Sequence, residues 1–124
     1  MDSALKGIEP ALNPVLVELE KKTGPNHFYR IMAHRPEAMQ AFMAFYKSVM
    51  GPGVLERRLK EMIYLAVSMS NQCDYCVASH TAGARSKGMT DEQLKELIAV
   101  MGFANANNRI AAGYQVEIDE QFKR

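Results

Sequence analysis

Apolar residues recur along most of the chain at spacings of three and four, the period of an amphipathic helix. After Pro14, the run Val15-Leu16-Val17-Glu18-Leu19-Glu20-Lys21-Lys22 reads as a short helix stopped near Gly24-Pro25. Phe28 to His34 reads as a second short helix or turn, ending before Pro36. Pro36 suits a first helical position, where its missing N–H would be unpaired anyway. From there Met39, Phe42, Met43, Tyr46 and Met50 mark an apolar face, and Gly51-Pro52-Gly53 closes the helix. Leu55, Leu59, Met62, Ile63, Ala66 and Val67 give the next helix its stripe, from about Val54 to Met69, and Ser70-Asn71 offers a break and a new N-cap. A further helix ends at Gly88. Thr90-Asp91-Glu92-Gln93 has capping-box spacing and opens another through Leu94, Leu97, Ile98 and Met101. A final helical stretch is expected from about Ala106 to Phe122, with Asn105, Asn107, Asn108 and Arg109 at its start. The expected fold is all-α, a single domain over residues 1–124 whose helices pack antiparallel through short turns.

Composition narrows the function classes. The chain has 124 residues, 48% of them hydrophobic and 23% charged, which fits one globular domain with one core. A formal net charge of +1, with both signs mixed along the chain, supplies no field suited to nucleic acid or an anionic membrane. No stretch approaches the roughly 18 uninterrupted apolar residues needed to span a bilayer, and Met1-Asp2-Ser3-Ala4-Leu5-Lys6 has no apolar leader core. A cytoplasmic protein is expected. The methionines at 39, 43, 62 and 101 fall on apolar faces, where they would fill a core or a subunit interface.

The candidate chemistry is concentrated in Cys73-Asp74-Tyr75-Cys76-Val77-Ala78-Ser79-His80, which holds both cysteines and one of three histidines. In a reducing compartment a close cysteine pair is more often redox-active, catalytic or metal-binding than a structural disulfide. Positions i, i+3 and i+7 share one helix face, so the thiols can bond to each other and exchange protons with the imidazole. A cap at Asn71 or Ser70 would put both thiols in the first two turns, where the dipole favours a thiolate. His80, four residues after Cys76, suits Cys76 as the attacking thiol and Cys73 as the resolving one; spacing alone leaves the opposite order open. Glu61 stands about nine residues before the end of its helix, roughly 14 Å at 1.5 Å per residue, and His80 stands a similar distance into the next. In an antiparallel hairpin the two meet, giving an expected relay of Glu61, His80 and Cys76. His27 and His34 are expected to be ordinary partly buried or surface histidines.

These residues, with Glu56-Arg57-Arg58-Leu59-Lys60-Glu61-Met62-Ile63, Leu65-Ala66-Val67-Ser68, Asn71-Gln72 and Ala84-Arg85-Ser86-Lys87-Gly88-Met89-Thr90, resemble the carboxymuconolactone decarboxylase superfamily, in particular its alkylhydroperoxidase AhpD-like branch. The resemblance covers about half the chain. It implies an all-helical fold and a thiol-dependent peroxidase carried by Glu61, Cys73, Cys76 and His80, with the second cysteine attacking and the first resolving. It implies no bound cofactor, a small hydroperoxide substrate, an external dithiol reductant of lipoyl or thioredoxin-like type, and assembly as a dimer, trimer or hexamer. In the best-known members a second histidine precedes the second cysteine; here Tyr75 stands there. Two other classes compete with the thiol peroxidase: a lactone decarboxylase using acid and base groups without thiol chemistry, and a non-catalytic helical module in which the cysteines hold zinc.

Overall fold

The computed structural model describes residues 14–123, so the Met1–Lys6 segment read for a leader lies outside the described residues. All of the regular structure among them is helical, as expected. Two compact units divide at the Gly51–Pro52 bond. The first holds α1 (Pro14–Thr23), α2 (His27–Met32) and α3 (Pro36–Met50). Asn26 caps α2 by accepting the Tyr29 N–H at 2.9 Å, and Pro36 occupies the opening turn of α3. Leu16, Ala33 and Met39 form the buried centre of this unit, with Val15, Leu19, Tyr29, Met32 and Met43 packed around them. His27 and His34 are both exposed.

The second unit holds α4 (Arg57–Ser70), α5 (Asp74–Ser86), α6 (Asp91–Tyr114) and a single 3₁₀ turn at Glu120–Phe122. Helix α4 packs against both α5 and α6. Leu65, Ala84 and Met89 are its buried centre, joined by Met62, Met69, Val77, Leu94 and Leu97. Thr90 and Gln93 close the expected capping box reciprocally, at 3.0 and 3.1 Å. Gly88 ends α5 with φ +94°, and the Met89 and Gly88 N–H groups return to the Ala84 and Arg85 carbonyls, the paired bonds of a Schellman motif.

Three expectations are corrected. First, the stripe of Leu55, Leu59, Met62, Ile63, Ala66 and Val67 turns only partly inward: Met62 packs on the unit's core and Ala66 is half-buried, while Leu55, Leu59, Ile63 and Val67 are exposed. Those four side chains are 39–54% exposed, whereas the buried positions of α4 are Glu61, Leu65 and Ser68. The helix buries the face that turns towards α5, where Glu61 and Ser68 sit beside Leu65. Buried Ser68 costs little because its hydroxyl donates to the Tyr64 carbonyl at 2.9 Å. Second, no new helix begins near Ala106: α6 runs unbroken through Asn105, Asn107 and Asn108. Asparagine is only mildly unfavourable inside a helix, and no glycine or proline at that point imposes a stop.

Third, neither Ser70 nor Asn71 caps the cysteine helix. Ser70 is the last residue of α4, and Gln72 takes the left-handed conformation, φ +58°. The Gln72 and Cys73 N–H groups return to the Met69 and Ser68 carbonyls at 3.1 and 3.0 Å. That tight turn carries the chain past both candidate caps, and Cys73 itself becomes the N-cap of α5. No described helix is long and apolar enough to cross a membrane.

Candidate functional site

The α4–α5 hairpin brings Glu61 and His80 together. Its tight turn runs the two helices back along each other, so residues equally far from it stand side by side. His80 Nδ1 lies 2.7 Å from Glu61 Oε2. Glu61 is only 5% exposed, so a carboxyl that would be costly to bury alone is held by that bond and by Lys87 Nζ, 3.8 Å from Oε1. With Nδ1 committed to Glu61, Nε2 is the ring nitrogen left for another partner. The carboxyl fixes the ring's orientation in the same stroke.

Both cysteines are free and half-buried at the start of α5. The Cys73 sulfur accepts the Cys76 N–H at 3.3 Å, so the N–H that opens the helix serves the cap residue. The Cys76 thiol is pushed above its ordinary value of 9.0, first by its hydrogen bond to Cys73, then by burial and by the charge of Cys73. The expectation that the helix start favours both thiolates is not met at Cys76. Cys73 receives the backbone N–H, while Cys76 is the thiol whose ionisation its neighbour opposes.

A pH prediction follows from the leading cause of that shift. Cys73→Ala removes both the acceptor and the repelling charge, so the Cys76 thiolate forms at lower pH. Iodoacetamide alkylation of Cys76, followed by fragment-ion mass spectrometry across pH, is expected to show its midpoint moving to lower pH in Cys73→Ala. A midpoint that stays put or rises would contradict the coupling.

Three neighbours complete the site, and no motif spacing points to them. Tyr64, one turn after Glu61 on α4, stacks on the His80 ring with centroids 3.6 Å apart and planes 22° from parallel. Lys87 reaches Glu61 from the C-terminal end of α5. Gly83 provides the space in which the Glu61 carboxyl sits: a Cβ there would stand 2.8 Å from Oε2 and 3.1 Å from Cδ. The signal for Gly83 was a glycine inside a helix, a placement that usually has a packing reason. Gly83→Ala improves helix propensity by about 1 kcal/mol, and the flexible end of Glu61 can yield to the new methyl. The expected result is a melting temperature below wild type despite the better propensity, because the displaced, buried carboxyl gives up its bond to His80. A melting temperature raised by the full propensity gain would show that the carboxyl position is not critical.

Among the described residues, no three or more His, Cys, Asp or Glu side chains are grouped so as to hold a metal ion. An open groove of about 770 Å³ lies between α4 and α6, walled by Leu59, Ile63, Val67, Leu97, Val100 and Met101.

Comparison with known proteins finds relatives of this chain. Residues 36–116 match the model of a family described as the carboxymuconolactone decarboxylase family. The chain is 38% identical over 78 residues to uncharacterized protein 4 of the cox locus of Paracoccus denitrificans, covering 57% of this chain and 70% of that protein. It is also 38% identical over 66 residues to an uncharacterized protein of Cupriavidus necator, covering 53% and 58%. The crystal structure of the alkylhydroperoxidase AhpD core from Rhodospirillum rubrum superposes with a TM-score of 0.81 at 37% identity, over 98% of this chain and 93% of that one.

Proposed function

The chain belongs to the carboxymuconolactone decarboxylase family and has an AhpD-like fold, and from that premise we propose that it is a dithiol oxidoreductase that reduces hydroperoxides at Cys76. The observation that carries the reading is the 2.7 Å Glu61–His80 contact on the helix that opens with the two thiols. The name of the Rhodospirillum rubrum neighbour, an alkylhydroperoxidase, supports the choice of substrate class.

The chemistry runs in three steps. His80, held by Glu61, takes the Cys76 proton, and the sulfur attacks the terminal peroxide oxygen. An S–O bond forms as the O–O bond breaks; sulfur gives up two electrons, the alkoxide takes the proton from the imidazolium, and Cys76 becomes a sulfenic acid. The Cys73 thiol then attacks that sulfur, forming the disulfide and releasing water. An external dithiol of lipoyl or thioredoxin-like class reduces the disulfide and restores the pair. A Cys76 thiol pushed up by its neighbour is the reason this site needs a base. A cytoplasmic setting, which keeps thiols reduced, suits the free pair.

The reading is tested by supplying tert-butyl hydroperoxide with reduced lipoamide and following peroxide loss. Catalytic turnover that stops when both cysteines are alkylated supports it, and turnover indifferent to alkylation refutes it. Decarboxylation of a carboxylated lactone is the second reading, favoured by the description of the matched family. Carbon dioxide release that survives alkylation would put it first.

Self-association belongs to the same proposal. Helix α6 has no fully buried residue, and Val100, Phe103, Ile110 and Tyr114 on it are 57–82% exposed. So much apolar surface on one helix, beside the α4–α6 groove, suits a second copy of this chain. Light scattering is expected to give a multiple of 13.9 kDa; a monomer at working concentration would contradict it.

A further inference from the structure

We propose that the Tyr64 hydroxyl donates a hydrogen bond to the departing oxygen of the hydroperoxide as Cys76 attacks, making the phenol stacked on His80 a catalytic residue of the same site. The inference rests on the hydroperoxide reading above. Tyr64 follows Glu61 by three residues on α4, so its side chain leaves the same face of the helix. The near-parallel stack, 3.6 Å between ring centroids, fixes the phenol against the imidazole. Its hydroxyl has no hydrogen-bond partner among the described residues, and it is not sealed away from solvent. A tyrosine hydroxyl beside a buried apolar face usually finds a protein partner; this one, on a ring stacked against His80, finds none among the described residues.

The hydroxyl is close enough to both sulfurs and to Glu61 for their charges to oppose its ionisation. Burial and then Cys76, Cys73 and Glu61 hold it above its ordinary value of 10.0. The phenol therefore remains a donor throughout the pH range in which the thiols work. The balance of the reaction asks for such a donor. When the O–O bond breaks, charge builds on the alkoxide oxygen before the His80 proton reaches it, and a preorganised hydroxyl stabilises that charge.

The test compares wild type with Tyr64→Phe, which retains the stacked ring and loses only the hydroxyl. Single-turnover thiol oxidation is measured with tert-butyl hydroperoxide, whose leaving group is a basic alkoxide, and with peracetic acid, whose leaving carboxylate needs little help. Iodoacetamide alkylation of Cys76 serves as the control for thiol reactivity. Tyr64→Phe is expected to be slower with tert-butyl hydroperoxide by about 10²-fold, and to be close to wild type with peracetic acid and with iodoacetamide. Equal rates for the two proteins on tert-butyl hydroperoxide would overturn the role. Equal losses on all three reagents would also overturn it, because the phenol would then be acting on the thiol or on the fold. A wild type that oxidises no thiol with either peroxide would refute the hydroperoxide reading itself, and this role with it.

Discussion

Cys76→Ser is expected to lower thiol-dependent hydroperoxide reduction by at least about 10³-fold, the scale of losing a catalytic nucleophile. A serine oxygen cannot accept the two-electron oxidation that converts a thiolate to a sulfenic acid, so no intermediate forms for Cys73 to capture. The replacement is nearly isosteric at a half-buried position, and Cys73 keeps its place as cap, so helical content and cooperative melting are expected to survive. The companion variant separates the roles of the two thiols. Cys73→Ser still forms a sulfenic acid at Cys76 but cannot resolve it, so a dimedone adduct accumulates on Cys76 after one equivalent of peroxide. If the adduct instead accumulates on Cys73 in Cys76→Ser, the order of attack is reversed. Wild-type turnover in Cys76→Ser would sink the mechanism.

Glu61→Gln is expected to lower turnover by about 10²-fold, the lower end of what general acid–base groups contribute. Glutamine fills the same buried space beside Gly83 and can still face His80 Nδ1, so the variant removes charge more than shape. Without the carboxylate, the imidazolium formed when Cys76 loses its proton lacks the buried negative charge that faces it at Nδ1. The loss should therefore appear in the rate of Cys76 oxidation, with reduction of the finished disulfide by the external dithiol much less affected. Circular dichroism checks that the fold is retained. Unchanged oxidation kinetics in a folded Glu61→Gln would remove Glu61 from the relay.

Much of this arrangement was legible because it is local. Pro36, the Gly51-Pro52-Gly53 stop, the Gly88 terminator and the Thr90–Gln93 box each act through backbone chemistry within one turn of chain. The Glu61–His80 meeting was legible too, since two helices joined by a short turn bring equidistant residues to one level. What the sequence hid depends on packing. Asn71 is the stronger intrinsic cap, yet the left-handed Gln72 closes α4 in a way that hands the cap to Cys73. Periodicity marks the stripe through Leu59, Ile63 and Val67 as apolar but cannot say that α4 buries its other face. Gly83, Lys87 and Tyr64 enter the site only through contacts across the hairpin or between neighbouring turns, and no motif singles them out.

The central claim is that Cys73 and Cys76 form a peroxide-reactive couple. The most direct measurement is a count of free thiols on fully reduced protein before and after one equivalent of organic hydroperoxide, with the products mapped by mass spectrometry. Loss of both thiols per chain, a Cys73–Cys76 disulfide in the map, and full recovery with a dithiol reductant are the predicted result. Retention of both thiols under the same conditions would contradict it.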